Sequence, residues 1–524
     1  MKRTHSGVNK VHIVDLVDKN AHLYPDTIAY VERRPITGAR KEISWSRFHE
    51  RTNSFANALL DRGIERGHSV LLIGRNSLNW LESYFAVLKT GAWVIPLNFR
   101  FTDKDILYCA EVAKPTAFIF DETYTDRLAI NRPLMPSIQS YIPITAASHG
   151  DRETLESLVH DASKDSPGVP LGKEDACALY FTSGTTGDPK PVLVTHENLF
   201  CAAICEAINS RLDHRDSLLM MPPLYHLAIG HLLGLLLVGG KTVLLTEKIR
   251  PDYILKAMAE EKVSCLFLLV PWAIDLLESL DKKEVRKEEY DLTSWRYTQM
   301  GAQTIPSSLV KRLKDHFPHL HMNTTYGLSE SGGPGVIHLG IENEHKVGAL
   351  GKPALMWNAR IVDDEGKDVK PGEVGELIVK GNGVMREYYK NPKLTAQTIR
   401  EGWLYTGDLA KWDEEGFIFL VDRKKDLVIC GGENIFPAEV EDIIQQYPKV
   451  HDVAVIGTPD ERLGEIATAV IQTVSGENLT KEEINRYCEE NLPRYKCPRA
   501  IIFDTVPRSA TGKIEKIKLR DKYC

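Results

Sequence analysis

His68-Ser-Val-Leu-Leu-Ile-Gly74, then Leu78 to Leu88, then Ala92-Trp-Val-Ile-Pro-Leu97 decide the fold. The first run is apolar without alternation and closes at a glycine, which predicts a strand buried on both faces. The middle segment repeats apolar residues at helical spacing, and the third reads as a second buried strand. A strand–helix–strand unit predicts parallel strands covered by a helix. Thr116-Ala-Phe-Ile-Phe120, Lys241-Thr-Val-Leu-Leu-Thr246 and Cys265-Leu-Phe-Leu-Leu-Val270 continue the alternation.

Further along, between Lys346 and Val421, the texture changes to short β-like pieces: Ala359-Arg-Ile-Val362, Glu376-Leu-Ile-Val379 and Phe417-Ile-Phe-Leu-Val421. Asp363-Asp-Glu-Gly366 and Asp413-Glu-Glu-Gly416 read as hairpin turns between them. After Asp426 alternation resumes, with a helix expected at Pro437–Gln446 and a strand at Val453–Ile456. The expected fold is α/β: a large N-terminal domain of parallel-type βα sheets over residues 1–424, with a β-rich subdomain at 346–421. A small α+β domain follows over 425–524. No internal repeat or low-complexity tract is evident.

The 524 residues are 43% hydrophobic and 26% charged, with a formal net charge of -7. At roughly 100–200 residues per domain, this length accommodates about two to four units. The charge balance gives no electrostatic reason to expect nucleic-acid binding. Short basic clusters such as Arg423-Lys424-Lys425 suit a local anion site instead. The nine cysteines include no CxxC pair; Cys201 and Cys205 lack companion ligands for zinc and read as buried thiols in a reducing compartment. Met1-Lys2-Arg3 is basic but no apolar run follows, so no secretory leader is expected. Ala228 to Gly240 falls short of the roughly 20 apolar residues that span a membrane. A cytoplasmic protein without integral membrane association is the expectation.

The segment richest in chemistry is Tyr180-Phe-Thr-Ser-Gly-Thr-Thr-Gly-Asp-Pro-Lys190. An apolar strand enters a loop holding Thr182, Ser183, Gly184, Thr185, Thr186, Gly187 and Lys190, and Thr195 then opens a helix. Glycines let backbone N–H groups turn inward, hydroxyls donate and the lysine adds charge, a combination suited to a polyphosphate. The spacing is not that of a Walker A loop. Composition alone equally describes a plain Ser/Thr/Gly loop.

Further motifs follow in order: Pro223-Leu-Tyr-His226, Gly301-Ala-Gln303, Tyr326-Gly-Leu-Ser-Glu330, Tyr405-Thr-Gly-Asp408, Asp422-Arg-Lys-Lys-Asp426, Gly431-Gly-Glu-Asn-Ile435 and Pro507-Arg-Ser-Ala-Thr-Gly-Lys513. This ordered series resembles the adenylate-forming superfamily of acyl-CoA synthetases, peptide-synthetase adenylation domains and firefly luciferase, along nearly the whole chain. The resemblance implies an acyl-CoA ligase using ATP, Mg²⁺ and coenzyme A. A carboxylic acid is joined to the α-phosphate of ATP, releasing pyrophosphate, and the acyl group then passes to CoA.

By the same resemblance, Thr182 to Gly187 and Lys190 cradle the phosphates. Gly301, Ala302, Gln303, Thr325, Tyr326, Gly327 and Ser329 surround the adenylate, with Tyr326 stacked on adenine. Glu330 is the implied Mg²⁺ ligand, a hard carboxylate oxygen. Asp408 and Arg423 hold the ribose. Lys513 is implied to stabilise charge at the reacting carboxylate and α-phosphate. Lys425 occupies the hinge about which a mobile C-terminal domain rotates, presenting Gly431 and Gly432 to the pantetheine of CoA. His226 resembles a gate at the acyl pocket, which Gly230, Trp272, Gly301 and Gly332 would line. The sequence departs from the family pattern at Pro191, Ser329 and Asp422.

A serine hydrolase is excluded because Gly327-Leu-Ser-Glu-Ser331 lacks the closing glycine of the nucleophile elbow. A stand-alone adenylation enzyme loading a carrier protein is the nearer alternative; no acidic residue for an amino group is evident near Pro223–His226, and no carrier segment follows Lys513. A luciferase-like oxygenase is a further alternative. Small residues in an apolar neighbourhood favour a medium- or long-chain fatty acid, or a cyclic or aromatic acid, over acetate. A homodimer is compatible with the sequence.

Overall fold

The computed structural model describes residues 12–144, 153–182, 189–226, 229–301, 305–342, 344–508 and 514–524. Among these residues the chain forms four sheets. Strands Ser69–Ile73 and Trp93–Leu97 run parallel at the centre of a seven-stranded sheet, flanked by Ala117–Phe120 and Ala176–Thr182. The intervening helix Leu78–Lys89 starts where Ser77 Oγ accepts from the Trp80 N–H at 3.1 Å, and it buries Trp80, Tyr84 and Phe85. Such a cap satisfies one of the orphan donors of the first turn.

The seven- and nine-stranded sheets are mixed, with parallel centres and antiparallel pairing at one edge or both. Beyond Thr182 the chain reverses, and Lys190–Thr195 pairs antiparallel with Ala176–Thr182. Residues 183–189 are too few for a helical crossover, so only a reversal can join these strands. Thr195 then caps helix His196–Asn209 in a box with Asn198, each side chain bonding the other's backbone N–H.

A nine-stranded sheet holds Cys265–Leu269, Tyr297–Gly301 and His321–Leu328 side by side and parallel. Its two faces bury different cores. Leu266 and Leu268 join a cluster with Ile254, Leu276 and Val310, whereas Cys265 joins the larger cluster that includes helix Ile229–Val238. A third, antiparallel sheet carries Trp357–Val362, Gly375–Gly381, Trp403–Trp412 and Ile418–Arg423. Both expected turns form: the Gly366 and Gly416 N–H groups bond back to the Asp363 and Asp413 carbonyls at 3.0 Å, with φ of 80° and 78°.

The last sheet, built on Val450–Asp460 and Gly464–Thr473, packs against helices Pro437–Gln445 and Lys481–Asn491 around its own apolar cluster. The architecture is therefore α/β, with a large N-terminal portion and a smaller α+β C-terminal one. No helix among the described residues is long and apolar enough to cross a membrane. Cys201 and Cys205 are buried, and burial pushes their thiols up to about 11 and about 12.

Candidate active site

The C-terminal ends of the parallel strands supply the first group of residues, the position where open α/β sheets bind ligands. Gly301 ends its strand in register with Thr325. A Cβ on Gly301 would stand 2.9 Å from the Thr325 carbonyl oxygen, so only glycine permits this approach. Tyr326 follows, and its hydroxyl donates to Asp408 Oδ2. Burial and the Asp408 carboxylate hold that phenol well above its ordinary range. Asp408 is itself buried and lies across from Arg423, whose Nε is 3.4 Å from Asp408 Oδ1. Tyr326, Asp408 and Arg423 thus come from two different sheets to one polar corner.

Glu330 sits in the short turn Ser329–Ser331. The Gly332 N–H closes this turn onto the Ser329 carbonyl at 3.1 Å. Gly332 has a φ of 66°, and a Cβ there would stand 1.8 Å from the Gly383 carbonyl oxygen. Gly327 is equally confined, since its Cβ would lie 2.3 Å from the Gly333 carbonyl oxygen. The turn is locked from the other side by the Met385 N–H, which donates to the Glu330 carbonyl at 2.8 Å.

A residue that sequence reasoning missed joins this turn to the strand Lys190–Thr195. Tyr388 lies on the two-residue strand Glu387–Tyr388, opposite Val192 and Leu193 of the strand that follows the loop. Its hydroxyl donates to Glu330 Oε1 at 2.7 Å, while Lys190 Nζ lies 5.5 Å from its ring centroid. Thr182, paired with Lys190, donates its hydroxyl to the Lys190 carbonyl at 3.5 Å. Burial and Glu330 push the Tyr388 phenol far up, so it remains a donor.

Positive charge converges nearby. Burial lowers the Lys425 pKa; Asp426 opposes this, and Arg423, Arg520 and Lys190 lie close enough to add to the lowering. A carboxylate, the Thr182 hydroxyl and converging cations suit a nucleotide polyphosphate. For Mg²⁺, Glu330 supplies a hard oxygen already oriented by Tyr388. Among the described residues no three or more His, Cys, Asp or Glu side chains are placed to hold a metal ion together, and Mg²⁺ held by one carboxylate plus phosphate oxygens requires no such group. The donor set fits that ion.

Ser183, Gly184, Thr185, Thr186, Gly187, Ala302, Gln303 and Lys513 lie outside the described residues. Of the expected acyl-pocket group, Gly230 opens helix Ile229–Val238 and faces Ala202, its Cβ position 3.9 Å from the Ala202 Cβ. The His226 ring lies 4.4 Å from that of Tyr225, one turn before this helix. Trp272 packs against the second cluster, rather than the first, which the helix of Gly230 joins. Gly431 and Gly432 form the two-residue turn between Val428–Cys430 and Glu433–Ile435, with φ of 59° and 88°. Both central residues of a type I′ turn need positive φ. Asp422, where the sequence departs from the family pattern, holds a helix in place. Its Oδ2 accepts the Ala438 N–H at 2.8 Å, capping helix Pro437–Gln445 from a distance.

Residues 17–389 match the AMP-binding enzyme family, and residues 439–513 match the AMP-binding enzyme C-terminal domain. The chain belongs to the AMP-binding enzyme family. It is an AMP-forming acyl-CoA ligase, a class that uses ATP, Mg²⁺ and CoA. A long-chain-fatty-acid–CoA ligase of Mycobacterium tuberculosis is 30% identical over 97% of this chain and 98% of that one. A feruloyl-CoA synthase of an Amycolatopsis species is 31% identical, covering 92% of this chain and 94% of the relative. The crystal structure of ATP-bound MatB from Rhodopseudomonas palustris superposes with a TM-score of 0.86 at 26% identity, over 98% of this chain and 99% of that one.

Proposed function

We propose that the corner built by Glu330, Tyr388 and Lys190, together with Tyr326, Asp408 and Arg423, is the adenylation site, and that residues 1–424 and 425–524 act as a fixed and a mobile domain. The observation that carries this reading is the meeting of the Glu330 turn and the phosphate-loop hairpin through Tyr388. Thr182 to Gly187 and Lys190 hold the β- and γ-phosphates, Gly301 to Gln303 and Tyr326 hold adenine, and Asp408 with Arg423 holds the ribose. Glu330 would hold Mg²⁺, which when bound neutralises phosphate charge and orients the leaving pyrophosphate. The acid carboxylate attacks the α-phosphorus, the bond to the bridging oxygen breaks, and pyrophosphate leaves with the electron pair. Lys513 steadies the charge shared by the carboxylate and α-phosphate. Rotation about Lys425 then presents the Gly431–Gly432 turn, past which the CoA thiol reaches the acyl carbonyl beside His226 and displaces AMP.

The acid fits a fatty, cyclic or aromatic skeleton lying between Gly230, Gly301 and Gly332. The relatives named for long-chain fatty acids and feruloyl groups span that range. The enzyme is assigned to the cytoplasm, where ATP and CoA are available, and a homodimer remains compatible with the fold. ATP–pyrophosphate exchange over a panel of carboxylic acids, repeated with CoA and thioester detection, tests this reading. Acid-dependent exchange followed by thioester formation is expected. Exchange without thioester for any acid would leave an adenylation enzyme serving another acceptor.

A further inference from the structure

Helix Ile229–Val238 brings a polar group to the acyl side that adenylation does not use. In its first turn Gly230 and His231 are partly open, while Leu232 to Leu236 are buried. The His231 ring stacks on Phe267 with centroids 4.0 Å apart, and Phe267 Cζ lies 3.7 Å from the Cβ position of Gly301. His231 therefore stands one ring beyond Gly301, where the ATP and acyl sites of the proposed reading meet.

A carboxylate lies behind that ring. Glu206, on helix His196–Asn209, is 4% exposed. Its Oε2 is 3.3 Å from His231 Nδ1 and accepts from Gln299 Nε2 at 3.3 Å. Its Oε1 accepts from Ser210 Oγ, also at 3.3 Å. Gly234 makes room for its stem, since a Cβ there would stand 2.7 Å from Glu206 Cγ. A buried carboxylate met by neutral donors is costly to hold, and apolar side chains would join two helices for less. His231 Nδ1 faces Glu206 Oε2 but is buried without a hydrogen bond, and no hydrogen bond to Nε2 occurs among the described residues, although the side chain is 15% exposed.

We propose that His231, stacked on Phe267 and facing the Glu206 carboxylate, forms the polar end of the acyl pocket, so that the preferred acid carries a hydroxyl group distant from its carboxylate. This rests on the reading that Gly230 and Gly301 bound that pocket. A hydroxyl both donates and accepts, and so pairs with Nε2 in either protonation state of the imidazole. A plain alkyl or aryl end would cover Nε2 and leave it unpaired, the situation in which polar sites discriminate best. Glu206 acts through His231 and is a positioning residue.

The test uses matched acids differing by one hydroxyl: octanoate against 8-hydroxyoctanoate, and 3-phenylpropanoate against its para-hydroxy form. Pyrophosphate exchange is measured for the wild type, His231→Phe and Glu206→Gln. The wild type should favour the hydroxylated member of at least one pair by roughly tenfold or more in kcat/KM. His231→Phe, which retains a ring on Phe267, should lower that ratio at least tenfold. Glu206→Gln should lower it in the same direction; if this variant does not fold, His231→Phe alone decides. No hydroxyl preference in the wild type, or equal losses for both members of a pair, would overturn the proposal while leaving the adenylation reading intact. Absence of exchange with every acid would overturn both.

Discussion

Replacing Tyr388 with phenylalanine removes one atom from the site and leaves the ring over Lys190. The lost interaction is the 2.7 Å hydrogen bond to Glu330 Oε1. A hydrogen bond to a charged group contributes roughly 1.5–3 kcal/mol. Tyr388 is buried but Glu330 is partly open, which places the value at the low end, about 1.5 kcal/mol or roughly tenfold in an equilibrium constant. Partners that orient metal ligands typically change metal affinity by about 10- to 100-fold. The Mg²⁺ concentration giving half-maximal pyrophosphate exchange should therefore rise roughly tenfold in Tyr388→Phe. Saturating Mg²⁺ should restore most of the rate, because the carboxylate itself remains. Glu330→Gln, titrated in parallel, should not be rescued. A Tyr388→Phe enzyme with unaltered Mg²⁺ dependence, or one equally impaired at every Mg²⁺ concentration, would refute the reasoning.

Other outcomes follow from the same geometry. Gly332→Ala meets both a φ of 66° and the Gly383 carbonyl at 1.8 Å, so urea unfolding should show a loss of roughly 2–4 kcal/mol, with exchange impaired through the displaced Glu330 turn. Asp422→Ala removes the cap on the Ala438 N–H and should destabilise the C-terminal domain by about 1 kcal/mol, read as an earlier thermal transition there. His196 is buried with both ring nitrogens lacking hydrogen-bond partners, and burial, aided by His12, lowers its pKa from 6.5 to about 4. Its folded-state pKa is depressed, so its contribution to stability is complete above pH 6.5 and is lost as pH falls towards 4. The slope in that window is at most about 1.4 kcal/mol per pH unit. Denaturant titrations between pH 4 and 7 should give the wild type a steeper loss of stability than His196→Phe, the difference in slope being at most this value.

The parts of this protein legible in its sequence are those fixed by short-range pattern. The strand–helix–strand unit from His68 to Leu97 is apolar where it is buried on both faces, and Ser77 marks the helix start. The turns at Gly366 and Gly416 are readable because positive φ falls on glycine. Strand direction is harder: apolar runs on either side of the phosphate loop look the same in parallel or antiparallel pairing. The short connection 183–189 carries the missing signal. Tyr388 is illegible because its role depends on pairing with residues about two hundred positions earlier and on a carboxylate in a third segment. Asp422 reads as an idle departure until the fold places the start of helix Pro437–Gln445 over its carboxylate. The Glu206–His231 pair is hidden for the same reason: two helices must pack before it exists.

The central claim, that one site performs adenylation before a separate thiol transfer, is tested most directly by measuring the two half-reactions of Lys513→Ala beside wild type. Pyrophosphate exchange should fall by orders of magnitude, since the proposed function places Lys513 on the charge that moves in the first step. Thioester formation from preformed acyl-adenylate and CoA should stay within a few-fold of wild type. Equal loss in both half-reactions would contradict the account.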